Sequence, residues 1–166
     1  SIILSIGAVK FSLNSDYIDD DAFYASISID SNLHAGRQLS ESTLLWWLDQ
    51  SKEAQAVFRE PKQALDTALD SLTAWFGTDD KQTVWSNGAD FDLPMLAHAY
   101  AGYGWETPWK FWNNRCFRTY KNLPGAKNVK VPFTGVKHNA LADAFHQAQV
   151  ACAIHAELFG KKVKAK

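Results

Sequence analysis

The sequence IILSIGAVKF (residues 2–11) is the longest apolar run in the chain and predicts the strand around which the domain is built. It is rich in Ile, Val and Ala without strict alternation, as expected for a central strand covered on both faces. A polar segment, residues 14–21, then predicts a hairpin loop. The following residues, FYASISI (23–29), alternate with the period of a half-buried strand. The first two strands are therefore expected to be adjacent and antiparallel.

Helix signals follow this pair of strands. Ser40 or Ser42 can cap a helix that contains LLWWL (44–48), and Pro61 is placed to begin a longer helix that ends at Gly77.

The second half of the chain predicts one more strand and three helices. The strand covers residues 83–86, and a helix covers about 91–100. Residues 102–137 are irregular, with a short helix near 114–123, and the longest helix covers 139–159. This order predicts an α/β fold, a mixed sheet flanked by helices, in one domain over residues 1–160. Residues 161–166 form a basic tail.

Composition and charge exclude several classes of protein. The chain has 166 residues, 46% apolar and 21% charged, which excludes disordered and fibrous proteins. With 17 Lys and Arg against 18 Asp and Glu, it does not bind nucleic acid or membrane by bulk positive charge, which leaves room for a local basic strip.

The two cysteines, Cys116 and Cys152, lack ligand spacing and disfavour a zinc site. The opening run is too short to cross a bilayer, so a cytoplasmic protein is expected.

The segment VWSNGADFDLPML (residues 84–96) is the first candidate site. A strand ends there, Asn87-Gly88 turns the chain, and Asp90 and Asp92 lie at the start of a helix. Ligands gather at strand ends in open α/β sheets. An Asp at the start of a helix is more often a cap than a metal ligand, so both interpretations stay open.

The segment KHNALADA (residues 137–144) is the second candidate site. His138 enters the longest helix and Asp143 lies in its early turns. A carboxylate there can hold a divalent metal while the histidine takes a proton from water. The alternative is a surface histidine and an acid favoured by the helix dipole. Pairing with Asp92 strengthens the first interpretation, because two acids and a base on separate element ends make a hydrolytic metal site.

A strip of cations and aromatic rings is the third candidate. Loop cations beside rings can follow a single-stranded backbone and stack its bases. The alternative is a solvated loop whose tryptophans belong to the core. Arg118 is the best phosphate ligand in the strip, because its guanidinium can hold two oxygens. The members of the strip are Trp109, Trp112, Arg115, Arg118, Lys121, Lys127, Lys130 and Lys137.

Taken in order, these segments resemble the DEDDh-type 3'-5' exonucleases of the ribonuclease H-like fold. The resemblance is strongest to a short branch found in phages, prophages and mycobacteria, which includes exodeoxyribonuclease VIII-like proteins and an adenylate-preferring ribonuclease. It covers nearly the whole chain, and the order and spacing of its segments make it specific. The segments are ILSIGAVKF, FYASISIDSNLHAGR, STLLWWLDQSKEA, WSNGADFDLPML, PWKFWNNRCFRTY and HNALADA.

The resemblance implies a metal-dependent enzyme that releases nucleoside 5'-monophosphates from single-stranded RNA or DNA 3' ends. In such families four carboxylates hold two Mg²⁺ or Mn²⁺ ions and a histidine is the general base. By motif match, Asp92 and Asp143 are metal ligands and His138 is the base. Substrate-binding residues are then expected at Asn87, Arg118, Trp46 and Trp112. A homodimer is also implied.

One motif of the resembled family has no match in the sequence. The family carries Asp-x-Glu on a strand that precedes ILSIGAV, whereas this sequence begins at Ser1. The expectation is that the natural protein carries this strand before Ser1 and that the printed chain by itself is nearly inactive. The alternative is a non-catalytic nucleic-acid-binding or scaffold homologue that lacks the motif.

Overall fold

Two antiparallel strands near the start of the chain organise the computed structural model, which describes residues 1–15, 17–88 and 90–160. Strand β1 (Ser5–Ala8) pairs with a later strand, Phe23–Ser26, and Gly7 lies opposite Tyr24. The predicted antiparallel pair is therefore confirmed. The loop between the two strands contains a second, smaller hairpin, formed by β2 (Phe11–Ser12) and β3 (Tyr17–Ile18), so Phe23–Ser26 is β4.

A third pair of strands is parallel and lies later in the chain. Strand β5 (Val84–Ser86) pairs with β6 (Asn114–Cys116), with Ser86 opposite Cys116. The described residues thus form three two-stranded sheets, and the single mixed sheet expected from the sequence is not observed among them. Within the described ranges, β1 is hydrogen-bonded to no strand other than β4, and β5 to none other than β6. The coarse α/β class is confirmed, and a ribonuclease H-like arrangement stays a prediction.

Seven α-helices are present in the described part of the chain, together with short 3-10 turns. Ser40 is confirmed as a cap, because its Oγ accepts the Thr43 N–H at 3.5 Å. The helices are α1 (Ile29–His34), α2 (Glu41–Leu48), α3 (Lys52–Gln55), α4 (Leu65–Phe76), α5 (Asp92–Gly102), α6 (Phe117–Lys121) and α7 (Ala140–Phe159). Within the described ranges, none of them is long and apolar enough to span a membrane.

The predicted helix start at Pro61 is wrong, although the predicted end at Gly77 is confirmed. Residue Gln63 is extended and bridges to Ile27. Its N–H donates to the Ser26 carbonyl at 3.0 Å, and its carbonyl accepts from the Ser28 N–H at 2.9 Å. These bonds hold the chain out of helical geometry, so α4 begins only at Leu65.

Helix α7 lies directly on strand β1, and a glycine permits this approach. A Cβ at Gly7 would lie 2.3 Å from the Ala140 carbonyl carbon and 2.4 Å from the Leu141 nitrogen. Because no side chain fits between them, the first turn of α7 packs against the strand backbone. This contact positions the helix start that carries Asp143. The predicted basic tail, residues 161–166, lies outside the described residues.

Candidate active site

Asp92 is placed by the turn that follows β5. Ser86 is buried and its Oγ donates to the Gly88 carbonyl at 2.8 Å, which closes the turn. Gly88 has φ 136, a value that L side chains rarely adopt. Helix α5 then begins with Asp92 as its first residue, after Phe91, whose side chain makes no capping hydrogen bond. The alternative that Asp92 caps this helix is therefore wrong.

Asp143 is placed by a capped helix start. The Asn139 Oδ1 accepts the N–H groups of Leu141 at 3.1 Å and Ala142 at 3.0 Å. The Asp143 N–H donates to the Asn139 carbonyl at 2.9 Å, so the acid lies in the first turn of α7. The predicted helix start at residue 139 is confirmed within one residue.

His138 precedes the cap in an unusual backbone conformation. Its φ is 66, and it is the one non-glycine residue with positive φ among those the structure describes. Histidine, Asn and Asp occupy this region more often than other side chains, and such strain is concentrated at functional sites. The imidazole is exposed, and its centroid lies 5.0 Å from the Trp46 ring in an edge-to-face arrangement. The structure therefore brings Trp46 and His138 together.

The pKa of Asp92 is influenced by one acidic residue, Asp143, and one basic residue, Arg118. Burial of this group is the largest cause that raises the pKa of Asp92, although the residue as a whole is largely exposed. A backbone hydrogen bond from Asn87 and the charge of Arg118 lower the pKa, whereas the charge of Asp143 raises it. The two predicted metal ligands are thus close enough to interact electrostatically.

The pKa of Asp143 is also raised by burial, and two histidines oppose the shift. The charge of His138, a backbone hydrogen bond from His138 and the charge of His146 all lower the pKa of Asp143. His146 was not predicted as a site residue. Its Nε2 lies 3.0 Å from the Val131 carbonyl oxygen. The three-residue spacing from Asp143, which puts both side chains on one side of a helix, was the signal available in the sequence.

Arg118 and Asn87 meet beside Asp92. The Arg118 Nη2 donates to the Asn87 carbonyl at 2.9 Å. A Cβ at Gly88 would lie 3.5 Å from the Arg118 Cζ, so the guanidinium lies against the glycine backbone. The Asn87 Oδ1 is buried and has no hydrogen-bond partner in the described part of the chain. This acceptor and the free face of the guanidinium are suited to a polar ligand.

Of the two tryptophans in the strip, one belongs to the core and the other lies at the surface. Trp109 is 5% exposed and packs on Phe76 and Tyr100, so the expectation that it belongs to a binding strip is wrong. Trp112 is 62% exposed and contacts Phe111 edge to face at 5.0 Å. No contact among the described residues joins Trp112 to the acids, and its role in stacking stays a prediction.

The two carboxylates suit part of a site for a hard cation. No cluster of three or more His, Cys, Asp or Glu side chains that could hold a metal occurs within residues 1–15, 17–88 and 90–160. Mg²⁺ is, however, commonly bound by one or two carboxylates together with substrate phosphates and water. Asp92 and Asp143 supply such oxygen ligands, and a cation between them would offset the repulsion that raises the pKa of Asp92.

Comparison with protein families identifies the chain. The model of the 3'-5' exoribonuclease Rv2179c-like domain matches residues 1–155. Comparison with curated proteins and with solved structures returns no significant match. The match covers all three segments of the candidate site and confirms the predicted 3'-5' exonuclease class. The chain belongs to the Rv2179c-like 3'-5' exoribonuclease domain family, whose activity is hydrolysis of nucleic acid.

Proposed function

We propose that the residues at the starts of α5 and α7 form a site that hydrolyses the terminal phosphodiester of single-stranded RNA in the manner of a DEDDh exonuclease. The observation that carries the proposal is that Asp92 and Asp143, two acids from separate helix starts, are near enough for the charge of Asp143 to raise the pKa of Asp92. Arg118 acts on Asp92 and His138 acts on Asp143 in the same way, with the opposite sign. RNA is favoured over DNA because the family is described as exoribonuclease. The product is a nucleoside 5'-monophosphate released from the 3' end.

Asp92 and Asp143 are the residues that would hold Mg²⁺ or Mn²⁺, two ions in the resembled families. When bound, the cations polarise the scissile phosphate and stabilise the charge that develops on the attacking and leaving oxygens. The resemblance assigns the remaining two carboxylates to an Asp-x-Glu on a strand that precedes β1.

His138 is the proposed general base. The neutral form of an imidazole has a ring nitrogen that accepts a proton, so His138 can take the proton of the attacking water. The exposed position of the ring gives it access to solvent, and the Trp46 ring packs beside it with a distance of 5.0 Å between the two ring centroids. The charge of the protonated ring is then stabilised by Asp143, since the two groups already interact.

Arg118 and Asn87 are the proposed ligands of the substrate backbone. The guanidinium is fixed by its bond to the Asn87 carbonyl, which leaves its other N–H groups free for phosphate oxygens. The buried Asn87 Oδ1 is an acceptor for a hydroxyl or base donor of the terminal nucleotide. Trp46, 44% exposed, and Trp112 offer flat faces on which bases can stack.

The test is digestion of a single-stranded RNA labelled at its 5' end by the full-length protein in Mg²⁺. We expect a ladder of products shortened from the 3' end, with mononucleotides accumulating. Asp143→Asn should abolish the ladder, and Asp20→Asn, an exposed loop carboxylate, is the matched control. A ladder of equal intensity with Asp143→Asn would contradict the assignment.

A non-catalytic RNA-binding protein is the second candidate function. It is favoured by the lack of a three-membered metal-binding cluster within the described residues. The two functions differ in a simple measurement, because the binder retains affinity for RNA but releases no mononucleotide in Mg²⁺ or Mn²⁺.

A homodimer is part of the enzyme proposal by resemblance alone, and sedimentation equilibrium of the full-length protein checks it.

A further inference from the structure

Apart from the basic tail, positive charge in this chain is concentrated in one segment. Residues 107–142 contain seven of the 17 Lys and Arg and none of the 18 Asp and Glu. A segment of one sign creates a local field that the net charge of -1 conceals. The seven cations are Lys110, Arg115, Arg118, Lys121, Lys127, Lys130 and Lys137.

Some of these cations interact with neighbouring groups of the chain, whereas others are available to bind a ligand. The Lys110 Nζ lies 3.9 Å from a Glu106 carboxylate oxygen. The Arg115 Nη1 donates to the carbonyls of Trp112 and Asn114, each at 3.0 Å, so its guanidinium is folded back on its own backbone. Arg118, Lys121 and Lys127 form no ion pair with any residue the structure describes.

Two of the available cations share a groove. Lys121 and Lys127 line a concavity of about 270 Å³ between α6, the 3-10 turn Ala126–Asn128 and α7. Asn122 adds an amide to the same wall, and no acidic residue is among the lining residues. The Lys121 Nζ lies 5.4 Å from the centroid of the Phe117 ring, which holds the ammonium at the surface of α6.

The groove and the candidate active site share two helices. On α6, Arg118 and Lys121 are three residues apart and therefore neighbours on one side of the helix. On α7, the groove residues Val150 and Ile154 follow Asp143 by seven and eleven residues. At 1.5 Å per residue, the groove begins about 10 Å from Asp143 and ends about 17 Å from it.

We propose that this groove, which we call the Lys121–Lys127 groove, binds the RNA backbone on the 5' side of the scissile bond. The inference rests on the proposed function and adds a substrate class to it, single-stranded RNA long enough to reach the groove. A stacked strand advances about 3.4 Å per nucleotide, so the groove is reached by roughly the third to fifth nucleotide from the 3' end. The lysines bind phosphates, which carry no sequence information, so the groove selects for length and not for sequence.

The experiment measures affinity for single-stranded RNAs of two to twelve nucleotides in EDTA, where metal-dependent hydrolysis does not contribute. The full-length protein should show a rise in affinity between two and about five nucleotides. The double variant Lys121→Gln/Lys127→Gln should lose roughly tenfold or more in affinity for the twelve-nucleotide RNA and lose nothing for the dinucleotide. The slope of log affinity against log salt should fall by about 1.4, since each single-strand phosphate contact contributes about 0.7.

The matched control is Lys52→Gln/Lys81→Gln, which removes the same charge at two exposed lysines outside the basic segment. Equal thermal unfolding midpoints for the two double variants establish that both are folded. If Lys121→Gln/Lys127→Gln keeps the full rise in affinity and the full salt slope, the groove assignment is overturned. Because the readout is binding without metal, a protein that fails to cleave RNA but shows the length dependence contradicts the proposed function alone.

Discussion

The two helices that carry the candidate catalytic acids begin in different ways. Helix α7 has a side-chain cap, because Asn139 accepts two backbone N–H groups at 3.1 and 3.0 Å. Helix α5 has none, and the residue at its cap position, Phe91, is 62% exposed. Asp143 is therefore fixed by its own helix, whereas Asp92 depends on the Asn87 backbone and on Arg118. The α7 start therefore holds its acid through its own cap, whereas the α5 start holds its acid through groups that lie outside the helix.

Apart from the two acids, the largest effect on activity is expected at His138, the residue that precedes the α7 cap Asn139. His138→Asn should lower the turnover of RNA by about 10²- to 10⁴-fold, because it removes the general base and keeps a side chain that tolerates positive φ. Affinity for RNA in EDTA should stay unchanged. Single-turnover rates and binding of the same RNA measure both quantities. A loss of binding equal to the loss of rate would assign His138 to substrate binding and contradict the general-base role.

The next largest effect is expected on the free energy of unfolding, through the contact between β1 and the start of α7. Gly7→Ala should lower the free energy of unfolding by about 1–3 kcal/mol, because the new Cβ would overlap the backbone of Ala140 and Leu141. Gly102→Ala is the matched control, since nothing lies within 4 Å of a Cβ there. Urea unfolding of both variants is the measurement. Equal stabilities would show that α7 does not rest on β1 as described.

The cap itself should contribute less. Asn139→Ala should cost about 1 kcal/mol of unfolding free energy, the usual value for a lost N-cap. Ser40→Ala, which removes a single 3.5 Å capping bond from α2, should cost less. If the Ser40 variant is the less stable of the two, the cap of α7 does not contribute more to stability than the cap of α2, and this expectation is wrong.

The smallest effect is a pH dependence of stability without metal. Burial raises the pKa of both Asp92 and Asp143, so the folded state binds their protons more tightly than the unfolded state does. Each carboxylate then costs stability at neutral pH, and the cost disappears as the pH falls toward the ordinary Asp value of about 3.9. Asp92→Asn and Asp143→Asn should therefore unfold at higher temperature than the unsubstituted protein in EDTA at pH 7. The difference should narrow on acidification, and a constant difference would contradict this origin.

Local patterns in the sequence were sufficient for several elements. The alternation in residues 23–29 predicted the partner of the first strand, and Ser40 and Gly77 predicted helix ends because caps act within one turn. The three site residues His138, Asp92 and Asp143 were selected by motif, and the structure brings them together.

Long-range contacts were not predictable in this way. Strand β6 has three residues and no period of its own, and it is defined only by its parallel pairing with β5. Pro61 suits a first helical turn, but hydrogen bonds of Gln63 to the β4 end outweigh that local preference. Arg37, 7% exposed and without a described partner for its Nε, gave no signal in the sequence at all.

Asp92 and Asp143 are proposed to act as one unit, although they come from two differently built helix starts. The most direct measurement is the rate of Mg²⁺-dependent mononucleotide release by full-length Asp92→Asn, Asp143→Asn and the double variant. Residues that act as a unit give non-additive losses, so the double variant should be no slower than the slower single variant. Losses that multiply in the double variant, or full activity in either single variant, would contradict the claim.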